Sequence, residues 1–374
     1  MNSDHLGFYL VGWKKFYNKT LALIESKKTG YSAVWIFNDD VYSKIDWTTP
    51  IESSLKELYK KRAKQLREEY DYLVLYYSGG ADSTNVLHSF IDNGIFIDEI
   101  LIQDLKIFQN QQNNKDLSNA NFYSEIEFAA NAHLKKVKNQ LDPRTKITYQ
   151  DFTKVGLEML EKDFRFEENP IGMSINVSGV LRQLTQAYDR YNLNLLEKEK
   201  RSAFILGIDK PLVYFDGTDY LCFFKDTGAY HYVNPFNSVA DKENKVIIEY
   251  FYWSRSMPEI VVKQAQEIKK NCETHPWAKT MASQVLVKHI SEFRSVLHPV
   301  IYPPHVIESF QTEKPSTGLF RPMDKWFWET ASEKVKNNYI EIVQYLSNNI
   351  AAKDGIDGNV QNGFGAHKTR FYRL

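Results

Sequence analysis

The sequence has few cysteines and no charge imbalance. Its 374 residues include two cysteines, Cys222 and Cys272, which lie far apart and form no Cys-x-x-Cys pair. This excludes a disulfide scaffold and a multi-cysteine zinc site, and it favours a reducing compartment. Lys and Arg number 47, as do Asp and Glu, so the formal charge is zero. The balance gives no reason to expect binding to nucleic acid or to an anionic membrane.

Long apolar runs are also missing. No segment approaches the ~18 apolar residues of a membrane-spanning helix. The first residues, MNSDHLGFYLVGWKKFYNK, lack the basic region and apolar stretch of a secretory signal. With 43% hydrophobic and 25% charged residues, the composition is that of a globular chain long enough to bury a sizeable core. We expect a cytoplasmic protein that does not bind membranes.

Strand and helix patterns alternate through the first two thirds of the chain. The run YLVLYY at 72–77 has no charged residue, which is typical of a strand buried on both faces of a parallel sheet. The alternation predicts an α/β fold with a doubly wound, mainly parallel sheet. Strands are predicted at 8–11, 33–37, 72–77, 97–102, 146–149 and 203–206, and helices at 19–26, 53–70, 121–140 and 178–196, with a further helix through Val86, Leu87, Phe90 and Ile91.

The last third has a different character. LVYFDGTDYLCFF predicts a β-hairpin turning at Asp216-Gly217. Ser256 and Glu259 have the spacing of a capping box for a helix through residue 270, and helices are predicted at 284–297 and 325–348. Residues 354–365 are rich in Gly and Asn and predict a mobile tail. We expect an N-terminal α+β extension at 1–66, an α/β domain at 67–235 and a mostly helical, substrate-reading region at 236–374.

The junction SGGADS at 78–83 is the main candidate site. A helix N-terminus presents unpaired N–H groups and the positive end of the helix dipole, and both favour an anion. Gly79 and Gly80 let the backbone approach a phosphate closely, and the hydroxyls of Ser78 and Ser83 add donors. No lysine follows the glycines, so this is not the loop that holds a β/γ-phosphate in P-loop NTPases.

SGGADS after a buried strand resembles the SGGxDS signature of the PP-loop, or N-type, ATP pyrophosphatase superfamily. The resemblance implies an adenine nucleotide alpha hydrolase-like fold, ATP and Mg²⁺ as ligands, and cleavage between the α- and β-phosphates. The wider chain resembles PP-loop proteins of tailed bacteriophages labelled asparagine-synthetase-like or PAPS-reductase-like, which would place it in a host cytoplasm. That likeness rests on DWTTPIESSLKELYKKRAKQLREEYDYLVLYYSGGADS, EYFYWSRSMPEIVVKQAQEIK and KTRFY.

Carried over by position, the resemblance assigns pyrophosphate binding to the loop and a loop-orienting, catalytic or Mg²⁺-binding role to Asp82. Gln103 and Asp104, at the end of the next strand, are candidates for the adenine site or simple turn residues. Gly207, Asp209 and Lys210 follow a further strand, whose carboxyl end should face the same crevice. Lys210 would supply the missing, catalytic cation and Asp209 a Mg²⁺ ligand, unless they form an ordinary turn. The loop residues proposed to bind the nucleotide are Ser78, Gly79, Gly80, Ala81, Asp82 and Ser83.

Several weaker candidates remain open. Ser178-Gly179 is either a second anion site or a helix cap. Lys368, Arg370 and Arg373 either close over the phosphates or form a solvated end. The aromatic rows Tyr252-Trp253 and Trp326-Phe327-Trp328 either stack a planar substrate or pack the core. Four histidines show no metal-ligand spacing and are interpreted as ordinary: His231, His275, His305 and His367.

The expected reaction is AMP- and pyrophosphate-forming adenylation of an unknown small-molecule or nucleotide acceptor, followed by attack of ammonia or an amine. Position 2 is Asn rather than the cysteine of a glutaminase, and the tail lacks the reactive cysteine of a PAPS reductase. The alternatives are a PAPS reductase-like enzyme, or an ATP-binding regulatory module without turnover. A homodimer is left open.

Overall fold

This computed structural model describes residues 3–104, 125–161, 177, 180, 181, 184, 200–208, 210–226, 246–286, 297, 299–309, 322–349 and 367–374. The chain is an α/β protein built on a five-stranded parallel sheet with helices against it and two small antiparallel sheets beside it. In the part described, no helix is both long enough and apolar enough to cross a membrane.

The strands are β1 Phe8–Val11, β2 Lys14–Phe16, β3 Ala33–Ile36, β4 Tyr72–Tyr76, β5 Glu99–Asp104, β6 Lys146–Asp151, β7 Ser202–Leu206, β8 Leu212–Phe215, β9 Tyr220–Phe223, β10 Val246–Tyr250 and β11 Tyr372–Arg373. The first four α-helices are α1 Lys19–Thr29, α2 Asp39–Tyr42, α3 Leu55–Glu69 and α4 Ala81–Ile91. Further α-helices span Ala132–Val137, Phe152–Glu161, Glu259–Thr274, Pro276–Gln284, Pro304–Ser309, Pro322–Thr330 and Glu333–Asn349, and a π-helix spans Glu125–Asn131.

The parallel sheet has the order β10-β7-β4-β5-β6, and every neighbouring pair is parallel. After β4 the chain runs to β5 and β6 on one side and then returns to β7 on the other side. The strand order therefore reverses at β4. In an open parallel sheet, the crevice at such a reversal, beyond the carboxyl ends of the strands, is where ligands bind.

The central position of β4 follows from its apolar sequence. Tyr72, Leu73, Val74 and Leu75 are all buried, as the absence of alternation in YLVLY predicted. Helix α3 lies before β4 and has the predicted amphipathic pattern. Its N-terminus is a capping box in which Ser54 and Glu57 satisfy each other's backbone N–H groups.

Three predictions on the helical region were wrong in detail. The helix Glu259–Thr274 has Pro258 at its N-cap without a side-chain bond, while the Ser256 hydroxyl contacts Ser254 and α3. The helix predicted at 284–297 does not begin at Gln284, because a helix that starts at Pro276 ends there; residues 287–296 lie outside the described residues. The helix predicted at 325–348 is two helices, because the Ser332 hydroxyl accepts from the Val335 N–H and starts a second one.

Two further predicted helices and the predicted tail lie partly or wholly outside the described residues. Of the predicted helix 121–140, residues 121–124 lie outside the described residues, and the rest is helical: the π-helix, then Ala132–Val137, then a 3₁₀ turn at Lys138–Gln140. Of the predicted helix 178–196, three helical and buried positions are described, Val180, Leu181 and Leu184, and the remainder lies outside the described residues. The tail at 354–365 also lies outside them. β10 was not predicted, and it extends the sheet beyond the expected boundary at residue 235.

The chain end forms part of an antiparallel sheet. The predicted hairpin is present as β8 and β9, with Gly217 in the turn at a φ of 108°. β11 pairs with β9, and Arg373 forms an ion pair with Asp219 at 2.9 Å. The backbone of Lys368 forms an isolated antiparallel β-bridge with Lys225, and its ammonium lies 3.7 Å from the centroid of the Phe371 ring. The terminal cations Lys368 and Arg373 are thus engaged with the hairpin and the tail itself, and their contacts give no support to a lid.

A buried ion pair ties the N-terminal region to this sheet. Lys19 Nζ in α1 lies 2.7 Å from Asp226 Oδ2, and both side chains are buried. The Tyr9 hydroxyl of β1 donates to the same oxygen at 2.7 Å, and the backbone N–H of His367 donates to Asp226 Oδ1 at 2.8 Å. Burial acts to raise the pKa of Asp226, but Lys19 and His367 outweigh it and leave this pKa below its usual range.

Asp226→Asn should lower the free energy of unfolding by about 3 kcal/mol, because it leaves a buried ammonium without its counter-charge. Denaturant unfolding at neutral pH measures the loss. The control is Asp40→Asn, which breaks an exposed pair with Arg255 and should cost less than about 1 kcal/mol.

The same variant also tests the sign of the pH dependence. Because the folded-state pKa of Asp226 is depressed, its contribution is complete above the unfolded value of about 3.9 and is lost as pH falls through the folded value. The stability gap between wild type and Asp226→Asn should therefore shrink in acid. A gap that stays constant would contradict the assignment.

Candidate functional site

The loop 78–83 folds into a compact turn between β4 and α4. The Ser83 hydroxyl accepts from the Ser78 N–H and donates to the Gly80 carbonyl, at 3.3 and 3.2 Å. The Ser78 hydroxyl donates to Ser83 Oγ and accepts from the Gly80 N–H, each at 3.3 Å. The two serines therefore brace the turn from inside. Gly80 is the N-cap of α4 and has no side chain to offer, so the first-turn N–H groups have no capping side chain of their own.

Gly79 is required by both its backbone angle and its surroundings. Its φ is 74°, a left-handed conformation that glycine adopts without a Cβ penalty. A Cβ at this position would lie 2.4 Å from the backbone N and 2.7 Å from the Cα of Ala130. Ala130 belongs to the π-helix, so this helix packs directly on the glycine turn.

The end of β7 approaches the other side of the turn. A Cβ on Gly207 would lie 3.1 Å from the carbonyl of Asp82 and from the Ser83 nitrogen, a tight approach. Three residues later, Lys210 Nζ donates to both carboxylate oxygens of Asp82, at 2.6 and 2.8 Å. Lys210 is buried, with 4% of its surface exposed, whereas the Asp82 side chain is 31% exposed. The ammonium of Lys210, which follows the neighbouring strand β7, thus lies at the N-terminus of α4.

Two tyrosines hold Asp82 from the C-terminal region. Tyr302 donates its hydroxyl to Asp82 Oδ1, and Tyr252 donates to the Asp82 carbonyl at 2.8 Å. Asn85 donates to the Tyr252 hydroxyl at 2.9 Å. Burial, reinforced by nearby groups that include Asp82, raises the pKa of both tyrosines well above the usual value. Both phenols therefore remain neutral donors at physiological pH.

The contacts of Asp82 bear on its predicted role as a Mg²⁺ ligand. Both carboxylate oxygens already accept from Lys210, and one also accepts from Tyr302. A Mg²⁺ ion bound to the same carboxylate would lie beside the Lys210 ammonium, and repulsion between the two cations disfavours Asp82 as a Mg²⁺ ligand in this arrangement. Asp209, the other predicted Mg²⁺ ligand, lies outside the described residues, as does Ser178-Gly179.

Most of the predicted site residues come together. The loop residues meet Gly207 and Lys210 at the strand-order reversal, as the topology rule led us to expect. Gln103 and Asp104 end β5, the neighbour of β4 on the other side. Tyr76, the last residue of β4, pairs with Leu101, so Gln103 and Asp104 extend β5 past the end of β4. The Gln103 side-chain nitrogen is buried and has no hydrogen-bond partner among the described residues.

The aromatic rows pack the core for the most part. Tyr252, Trp253, Trp326 and Phe327 are each at most 1% exposed, which excludes them as an open stacking surface. Trp328, in contrast, is 43% exposed. Both cysteines are buried; burial raises the pKa of the Cys222 thiol well above its usual value and that of Cys272 to about 12. Neither thiol is therefore activated as a nucleophile.

Sequence reasoning missed three contributors to this site: Tyr252, Tyr302 and Ala130. Tyr302 follows Asp82 by 220 positions and sits in the unremarkable run HPVIYPPH. Tyr252 was noted only as part of an aromatic row. The only local signal for any of these contacts is Gly79, because a glycine at a strand–helix junction indicates that another segment approaches closely. The sequence does not show that this segment is the one that contains Ala130.

Comparison with protein-family models and with curated protein sequences finds no match for this chain.

Replacing Gly79 by Ala should destabilise the protein more than the same change at Gly94. Gly94 has a similar φ of 62° but nothing within 4 Å of a Cβ. Gly94→Ala should cost about 1–2 kcal/mol for the left-handed backbone alone. Gly79→Ala adds the collision with Ala130 and should cost about 1–3 kcal/mol more. Urea unfolding of both variants measures the difference, and equal losses would contradict the described packing of the π-helix on the turn.

Proposed function

We propose that this chain is an ATP-dependent ligase or synthetase of the PP-loop ATP pyrophosphatase type. It would adenylate an acceptor, release pyrophosphate, and pass the activated acceptor to ammonia or an amine. The observation that carries the proposal is the position of SGGADS between the central strand β4 and α4, where the strand order reverses. A doubly wound fold of the adenine nucleotide alpha hydrolase-like kind is part of the same proposal.

The arrangement of positive charge supports a cut between the α- and β-phosphates. The loop has no lysine of its own, and the cation at its helix N-terminus is Lys210, from the end of β7. In the proposed reaction an acceptor oxygen forms a bond to the α-phosphorus, and the bond to the bridging oxygen breaks. That oxygen leaves with its electron pair on pyrophosphate. The α4 dipole and Lys210 would stabilise this developing charge.

The second half of the proposed reaction needs no side-chain nucleophile. The nitrogen of ammonia or an amine attacks the acyl or imidoyl carbon, AMP departs with the carbon–oxygen bonding electrons, and the nitrogen loses a proton to solvent. Positioning and electrostatic stabilisation would then supply most of the rate enhancement. The burial of both cysteines argues against the PAPS reductase-like alternative, which requires a reactive thiol.

One observation favours the second candidate, an ATP-binding module without turnover. The hydroxyls of Ser78 and Ser83 bond one another, and Asp82 accepts from Lys210 and Tyr302, so the loop is braced and Mg²⁺ binding at Asp82 is disfavoured. Both the ligase and the binding module would bind ATP, but only the ligase would release pyrophosphate and AMP.

Ser78→Ala should lower pyrophosphate release from ATP at least ~100-fold, since it removes a hydroxyl that shapes the loop and would donate to the leaving group. Asp82→Asn should do the same, because it removes the counter-charge that positions Lys210 while keeping a polar group there. The assay contains ATP, Mg²⁺, candidate carboxylic acids and ammonia, and measures pyrophosphate and AMP. Near-UV circular dichroism checks that each variant is folded.

The control is Ser89→Ala. Ser89 lies further along α4 and donates to the Asn85 carbonyl at 2.7 Å, away from the loop, so its rate should match wild type. Wild-type rates in Ser78→Ala and Asp82→Asn would refute the site. ATP binding with no pyrophosphate release for any acceptor would favour the binding module.

A further inference from the structure

A cluster of two histidines and one aspartate lies at the C-terminal end of α4. His88 Nδ1 is 2.9 Å from Asp92 Oδ1, and His305 Nε2 is 2.7 Å from Asp92 Oδ2. One imidazole nitrogen from each histidine and one carboxylate oxygen of the aspartate lie within 4.8 Å of one another. We propose that His88, Asp92 and His305 form a binding site for a transition-metal ion, and that Zn²⁺ is the ion that this donor set fits best.

The donor chemistry selects the class of ion. Two imidazole nitrogens and one carboxylate oxygen suit zinc, whereas magnesium and calcium prefer oxygen ligands throughout. Tetrahedral zinc with ligands at about 2.0–2.2 Å requires ligand atoms roughly 3.3–3.6 Å apart. The two histidine nitrogens lie 2.9 and 2.7 Å from the Asp92 carboxylate oxygens, and all three ligand atoms lie within 4.8 Å of one another, so small side-chain rotations would bring them to that separation. His305 is exposed on a short helix and can adjust, and its exposure leaves a fourth position to water.

Buried partners behind His88 orient its ring for this role. His88 Nε2 lies 3.0 Å from His133 Nε2, and His133 Nδ1 lies 2.6 Å from the Tyr77 hydroxyl. The Tyr77 hydroxyl in turn lies 3.3 Å from Thr84 Oγ1. When Nδ1 of His88 binds a metal, its Nε2–H donates to His133, His133 Nδ1–H donates to Tyr77, and Tyr77 donates to Thr84. Each group then has a partner, which is how ligating histidines are held in their tautomer.

The site would connect three segments that surround the glycine turn. α4 has Asp82 at its start and His88 near its end. Residues 299–309 contribute Tyr302 to Asp82 and His305 to Asp92. His133 follows the π-helix, whose Ala130 covers Gly79. A metal ion here would therefore hold the Tyr302 segment against α4. This inference does not depend on the proposed ATP chemistry.

The sequence gives little indication of the cluster. His88 and Asp92 are four residues apart, which places them on one face of a helix. His305 lies 213 positions after Asp92 and was interpreted as an ordinary histidine. Only the packing of residues 299–309 against α4 brings the third ligand into place.

The test uses the full chain, stripped of metals with a chelator, and Zn²⁺ alone as the probe. Isothermal titration calorimetry should give one equivalent of tightly bound Zn²⁺, and the melting temperature should rise with Zn²⁺ concentration. Co²⁺ should bind to the same site and give the visible absorption of a tetrahedral centre. His305→Ala and Asp92→Asn should each weaken Zn²⁺ binding at least ~100-fold, since each removes one of three ligands.

The matched control is His275→Ala, which removes another exposed histidine, one that bonds the Asn271 carbonyl outside the cluster. The His275→Ala variant should bind one equivalent of Zn²⁺, as the wild type does. Ser78→Ala should also bind Zn²⁺ normally, which separates this inference from the proposed ATP chemistry. Failure of the wild type to bind Zn²⁺ at micromolar concentration, or wild-type affinity in His305→Ala, would overturn the proposal.

Discussion

The contact on which the site depends is the ion pair between Lys210 and Asp82. An ammonium that is 4% exposed is costly to bury without a counter-charge, and here both carboxylate oxygens of Asp82 accept from it. The pair fixes the segment after β7 against the first turn of α4. Because β7 lies beside β4, the strand at which the order reverses, this ion pair lies at the crevice in which α/β proteins bind ligands.

The remaining contacts at the turn follow from close backbone approach. Gly207 lets β7 reach the backbone of α4, and Gly79 lets the π-helix reach the turn. Tyr252 and Tyr302 then bond Asp82 from the C-terminal region. At its far end, α4 contacts the same region through Asp92 and His305. α4 thus links the glycine turn to the histidine cluster, and residues 299–309 contact both of its ends.

The sequence predicted what depends on short-range pattern. The apolar run of β4, the glycine turn, the amphipathic α3 and the hairpin at Asp216-Gly217 are each specified by a few adjacent residues, and the structure confirms them. The meeting of Lys210 with the loop was predictable too, since carboxyl ends of parallel strands share one edge. Tyr302 and His305 were not predictable, because packing between distant segments places them. β10 was missed, and so was the break at Ser332, where one hydroxyl cap ends an otherwise continuous helical pattern.

The proposed function requires that ATP be cut between its α- and β-phosphates. The most direct measurement is the identity of the labelled product formed from ATP carrying ³²P at the α-phosphate, in the presence of Mg²⁺, ammonia and a panel of carboxylic acids. This cut would give labelled AMP, free or joined to an acceptor, in equal amount to pyrophosphate. Labelled ADP together with inorganic phosphate would contradict the proposed function, because these products require a cut between the β- and γ-phosphates.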